Sequence, residues 1–153
     1  MSQPYLDALK MLARRELSEA QVRQRLARRG HDEDAIDAAV ARLKDERAID
    51  DERVAQAMAR TETAVKRRGK LRVTLHIESA GIARAVARRA VDEAFEDIDA
   101  GALLEAALAK RLRRGTSIRD DKELQRLYRY LIGQGFEPDH VMQALHARRT
   151  SGS

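Results

Sequence analysis

Cations dominate the residues of this chain that can do chemistry. Its 153 residues carry 30 basic and 25 acidic side chains, a net charge of +5. Of the basic residues 24 are Arg and six are Lys. The planar guanidinium fork makes paired contacts with phosphates and carboxylates, so an Arg-rich surface suits an anionic partner. The cations fall in clusters. They are Arg23, Arg25, Arg28 and Arg29, then Lys66, Arg67, Arg68, Lys70 and Arg72, then Arg84, Arg88 and Arg89, then Lys110, Arg111, Arg113 and Arg114. Further on, Arg126, Arg129 and Tyr130 fall on the helix face opposite Leu127 and Leu131. Candidate contacts to an anionic groove are Arg25, Arg28, Lys66, Arg67, Arg68, Lys70, Arg72, Arg111, Arg113, Arg114, Arg126, Arg129 and Tyr130.

A plainer explanation competes. Arg near a helix C-terminus interacts favourably with the macrodipole, at about 0.3–1 kcal/mol each. It covers Arg14, Arg15, Arg28, Arg29, Arg113 and Arg114, but not "VKRRGKLR", which puts five cations in one turn. Aromatic residues make up 3% of the chain. Tyr130 is the best base-stacking candidate and Tyr128 is assigned to the core. With so few aromatics and no Asn, sequence-specific base reading is not expected.

Other chemistry has weaker support. Asp50, Asp51 and Glu52 could serve acid–base work or hold Mg2+, yet a helix start with a favourable dipole explains them as well. His31, His76, His140 and His146 show no ligand spacing. No Gly-rich phosphate loop or Ser–His–Asp arrangement stands out. The chain has no Cys, which excludes a disulfide framework and thiolate metal sites. No catalytic residue, metal site or cofactor is expected. No apolar run approaches about 18 residues, and "MSQPYLDALK" lacks a secretory pattern. A cytoplasmic monomer without membrane contact is the expectation.

The elements that must position these cations repeat. Gly30, Gly81 and Gly135 can be superimposed. Four and eight residues before them stand Leu26 and Val22, Ile77 and Val73, Leu131 and Leu127. Six and ten residues after them stand Ile36 and Val40, Ala87 and Val91, Val141 and Leu145. Apolar i, i+4 stripes on both sides of a Gly predict two helices joined by a left-handed cap. A further helix precedes each pair, with apolar faces Tyr5, Ala8, Leu9, Leu12; Val54, Ala55, Met58, Val65; and Leu104, Ala107, Leu108, Leu112. Ser18 with Gln21 fits a capping box, Asp120 with Glu123 imitates one, and Asp50 or Asp51 can cap a helix near Glu52. An all-α fold follows, with three tandem three-helix repeats in an elongated, curved array. Expected bounds are 1–49, 50–98 and 99–149, with a disordered tail at 150–153. "KLRVTLHI" alternates like a strand, but the repeat places it on a helix. Leu71 and Leu75 then leave the main stripe, to fill a junction or to meet a partner.

"ALKMLARRELSEAQVRQRLARRG" followed by "RLKDERAIDDERVAQAMAR" resembles the RecX family, bacterial regulators of the RecA recombinase. The "IDDER" junction, the basic "RRGK" and "DKELQRLYRYLIGQGF" extend the likeness over about residues 5–149. The resemblance implies three tandem three-helix repeats without a catalytic centre. It implies binding to RecA filaments on single-stranded DNA, restraint of ATP hydrolysis, strand exchange and filament growth, and weak DNA contact without sequence preference. The chain departs from the family at His31, Ala48 and Val54, where aromatics are usual. It departs again in "HIESAGI", where a basic residue is usual. The alternatives are a direct DNA-binding protein of helix-turn-helix-like modules acting without RecA, and an adaptor for acidic proteins.

Overall fold

A computed structural model describes residues 2–112 and 117–149. Nine α-helices and one π-helical turn account for the regular structure among them. In order they are α1 (Gln3–Arg14), α2 (Glu19–Arg28), α3 (Glu33–Asp45), α4 (Asp51–Arg60), the π turn (Thr61–Val65), α5 (Lys70–Ser79), α6 (Arg84–Phe95), α7 (Ala100–Arg111), α8 (Asp121–Gly133) and α9 (Pro138–Ala147). The expected tail at 150–153, and Arg113 and Arg114, lie outside the described residues.

Each trio of helices closes on its own apolar cluster. The first holds Tyr5, Ala8, Leu17, Val22, Leu26, Val40 and Leu43. A second gathers Val54, Ala55, Val73, Ile77, Ala87, Val91 and Phe95, and a third Leu104, Leu108, Leu127, Leu131, Val141 and Leu145. Leu103 packs against both the second and the third. The residues four and eight places before each Gly are all buried, each contributing about 1.5–3 kcal/mol.

Gly30, Gly81 and Gly135 have φ of +88°, +79° and +95°. Gly135 N–H donates to the Ile132 carbonyl and Phe136 N–H to that of Leu131. Gly30 and His31 repeat this pairing on Ala27 and Leu26. Both are Schellman closures, which only a residue at ease in the left-handed region forms without strain.

Two sequence expectations meet the structure differently. "KLRVTLHI" is helical, because Val73 and Ile77 bury on the helical stripe and the segment pairs with no strand. Val65, however, does not join its helix's apolar face: it is 74% exposed. The cause is the π turn, closed by Lys66 N–H on the Thr61 carbonyl. Its wider ring shifts the helical phase. Glu62 and Thr63 go inside instead, at 1% and 4% exposure.

The modules meet through one junction used twice. The first turn of α5 docks on the last turn of α8. There Gly69 N–H donates to the Gln134 carbonyl at 2.8 Å, Leu71 N–H to that of Gly135 at 3.1 Å, and the Arg72 guanidinium to that of Gly133 at 2.9 Å. No side chain caps α5, so its orphan N–H groups are satisfied by the orphan carbonyls of α8. A Cβ on Gly69 would overlap the Gly135 backbone, and one on Gly135 would overlap Arg72. At the other junction, the first turn of α2 docks on the last turn of α5. The Ser18 hydroxyl donates to the Ala80 carbonyl, and a Cβ on Gly81 would overlap Ala20. Helices α8, α5 and α2 thus follow one another tail to head. Gly30, ending α2, has nothing within 4 Å of where a Cβ would stand.

Candidate nucleic-acid and partner interface

A cleft of about 550 Å³ opens between the end of α1 and the outer face of α2. Lys10, Met11, Arg14, Arg15, Arg25, Arg28 and Arg29 line it. The packing of α1 beside α2 brings the C-terminal residues of both helices to one cleft, which converts two separate sequence clusters into one site. Six cations face the cleft without a carboxylate among its lining residues. Arg29 lies 3.5 Å from Asp7. Among the described residues Lys10, Arg14, Arg15, Arg25 and Arg28 have no ion-pair partner. The negative ends of α1 and α2 explain why such crowding is tolerated, but half a charge per helix does not neutralise five free cations. The site is poised for a polyanion. Arg23, from the same sequence cluster, is excluded because Glu19 and Asp37 hold it.

The five-cation turn is arranged otherwise. The Glu62 carboxylate, drawn inside by the π turn, takes Lys66 and Arg68 at 3.1 Å each and His76 at 3.3 Å. Burial alone would raise its pKa. Lys66, His76 and Arg68 outweigh that and hold it below the ordinary value. Lys70 lies 3.8 Å from Asp92 and over the Phe95 ring, while Arg72 is tied to the Gly133 carbonyl. Arg67 alone of the five has no such partner. It occupies the turn at φ +53° and is exposed. Val65, Leu71 and Leu75 are the large apolar side chains exposed among the described residues, at 74%, 49% and 66%. Leu71 and Leu75 are one turn apart and so form a ridge on α5.

A second cationic cleft, of about 610 Å³, lies at the start of α8. Ser117, Arg119, Asp120, Lys122, Glu123, Arg126 and Arg129 line it. Lys122, Arg126 and Arg129 are four and three residues apart, one stripe of the helix. The two carboxylates are engaged locally. Asp120 accepts from Glu123 N–H at 2.9 Å, and Glu123 from Arg119 N–H at 3.3 Å. The positive end of α8 adds to the cations here. Arg111 does not join this cleft: its guanidinium covers the Tyr130 ring at 3.9 Å.

The remaining titratable groups serve as joints. Asp50 caps α4 through Arg53 N–H at 3.1 Å, Asp51 accepts from Glu19 N–H of α2 at 2.9 Å, and Glu52 pairs with Arg89 at 2.9 Å. Arg53 bridges to Glu16 at 2.6 Å. "IDDER" is therefore a clasp between the first two modules. His31 Nε2 stands 2.8 Å from buried Asp7. That contact, with the Gln3 amide, holds the Asp7 carboxyl below its ordinary pKa. Among the described residues no group of three or more His, Cys, Asp or Glu is placed to hold a metal. No described helix is long and apolar enough to cross a membrane.

The two clefts add Lys10, Arg14, Arg15, Arg119 and Lys122 to the cations expected from the sequence. The spacing of Lys10 and Arg14, one turn apart, was the available signal. Their closeness to Arg25 and Arg28 belongs to tertiary structure.

This architecture defines a tandem three-helix repeat protein with cationic clefts on its surface. Family descriptions agree: the first three-helix domain of RecX matches residues 5–43, and the third three-helix domain of RecX matches residues 99–145. The regulatory protein RecX of Halorhodospira halophila is 31% identical over 141 residues, covering 92% of this chain and 84% of that one. Its namesake in Syntrophotalea carbinolica is 32% identical over 143 residues, covering 93% and 94%. The crystal structure of RecX from Lactobacillus salivarius matches the fold with a TM-score of 0.83 over 95% of this chain and 94% of that chain, at 20% identity. The chain belongs to the RecX family of regulatory proteins.

Proposed function

We propose that this chain binds RecA filaments on single-stranded DNA and inhibits RecA ATP hydrolysis, strand exchange and filament growth, without a reaction of its own. It acts as three modules, 1–49, 50–98 and 99–149. The observation that carries this is the layout of the surface. Two cationic clefts lie at opposite ends of the α8–α5–α2 succession, and the apolar ridge of Leu71 and Leu75 lies between them. These helices have 13, 10 and 10 residues, together about 50 Å at 1.5 Å per residue. A compact ligand cannot span that length, whereas a filament can. The clefts suit phosphates, and the ridge, rimmed by Arg67, suits an apolar and acidic protein surface. Inhibition requires tighter binding to one filament state than to the other.

The test is RecA ATP hydrolysis on single-stranded DNA, titrated with this protein. A fall at substoichiometric protein is expected, relieved by Arg67→Glu. Arg68 is the wrong target, because a carboxylate there would face buried Glu62. No change in hydrolysis at saturating protein overturns the inhibitory reading. The clefts alone also favour a second reading, direct DNA binding without RecA. Undiminished affinity for bare duplex DNA, with none for RecA filaments, would establish it.

A further inference from the structure

We propose that the cavity between α8 and α9, walled by Tyr128, receives an unstacked base of a single strand whose phosphates lie in the neighbouring cationic cleft. This rests on the single-strand contact of the proposed function and deepens it. The cavity measures about 350 Å³ and is lined by Leu124, Gln125, Tyr128, Arg129 and Met142. Its walls are mostly apolar, and no carboxylate lines it.

Three observations select a base as occupant. Arg129 lines both this cavity and the cationic cleft, so a strand following the Lys122, Arg126 and Arg129 stripe passes its mouth. Tyr130, on the other flank of α8, has its ring covered by Arg111, whereas Tyr128 borders the open cavity. A half-buried ring beside a thioether offers a π face and a soft, adaptable wall. Gln125 carries both a donor and an acceptor on one amide, so it can meet the edge of any base. Such a pocket stacks a base without choosing among the four, as aromatic platforms in single-strand binding proteins do. A phosphate-only surface would not use the apolar wall that Leu124, Tyr128 and Met142 give this cavity.

The experiment compares two strands of about 20 nucleotides, one of thymidine and one abasic, with equal phosphate charge. The full-length protein is titrated with each. Stacking of one base favours the thymidine strand by about 5- to 150-fold. Tyr128→Leu should abolish that preference while leaving affinity for the abasic strand unchanged, and Tyr128→Phe should retain it. Circular dichroism verifies that the variants stay helical. The chain has no Trp, so Tyr128→Trp supplies a single emitter, quenched by the thymidine strand and not by the abasic one. Equal affinity for the two strands with unchanged emission overturns the pocket and leaves the phosphate contact standing. Absence of binding to both overturns the pocket and the single-strand contact together. Quenching by RecA protein, with none by either strand, gives the cavity to a protein side chain and overturns the base.

Discussion

Removing two guanidinium groups from the first cleft should flatten the salt dependence of DNA binding by a calculable amount. Five of its cations lack ion-pair partners. If each meets one phosphate of a single strand, the cleft contributes a slope of about −3.5 to log K against log salt, at about −0.7 per phosphate. The four cations of the α8 cleft contribute about −2.8 on the same basis. Arg14→Ala with Arg28→Ala removes two exposed side chains with no internal partner, so the fold should persist and the slope should shrink by about 1.4. Between about 50 and 200 mM salt, the variant then loses about seven-fold less affinity than the parent. Fluorescence anisotropy on a thymidine strand of about 20 nucleotides, at several salt concentrations, reads both slopes. Arg23→Ala is the control. It belongs to the same sequence cluster but is held by Glu19 and Asp37, so its slope should stay near the parent's. An unchanged slope in the double variant, or an equal change in the control, would refute the assignment of free and occupied cations.

Gly30→Ala and Gly135→Ala should separate a helix cap from a junction. Both sites sit in the left-handed region, so each loses about 1–2 kcal/mol. Only Gly135 also meets a neighbour's backbone, adding about 1–3 kcal/mol of overpacking, and thermal melts followed by circular dichroism should rank it well below Gly30→Ala. Glu62 and Asp7 both have lowered pKa values in the folded state. Their stabilisation is present above the unfolded-state pKa, near 4, and disappears as pH falls through the lower folded values. Glu62→Gln should therefore melt lower at neutral pH and lose less stability than the parent on acidification, and identical acid loss in both would remove Glu62 from the explanation.

Much of the architecture was legible because it repeats. One Gly register located α2, α5 and α8, their caps and their buried stripes. Against that, the strand-like alternation of "KLRVTLHI" was only a local preference. What escaped detection depends on geometry with no period. The π turn moves Val65 outward and Glu62 inward, and nothing in "TETAV" announces a change of helical phase. The five-cation turn looked like the strongest anion site, yet the π turn sets nearby Glu62 onto Lys66 and Arg68, and Asp92 approaches Lys70 from another helix. Conversely, Arg14 and Arg28 each had an adequate local explanation at a helix end. Only the packing of α1 beside α2 makes them one site. Tyr128 and Tyr130 differ by two residues and hence by opposite flanks of one helix. Which ring stays open is decided by Arg111, on another element.

The twice-used junction also gives the molecule a direction. Where α8 meets α5 and α5 meets α2, one helix's negative pole abuts the next one's positive pole, and the inner poles cancel. Only the outer poles survive, about half a positive charge beside Asp120 and half a negative charge beside Gly30. The array therefore carries a polarity like that of a single long helix, complemented by Asp120 and Asp121 at one end and by Arg28 and Arg29 at the other. A nucleic-acid strand and a protein filament are polar as well. A vector laid along another vector distinguishes parallel from antiparallel, so the binding proposed above would depend on which way such a track runs.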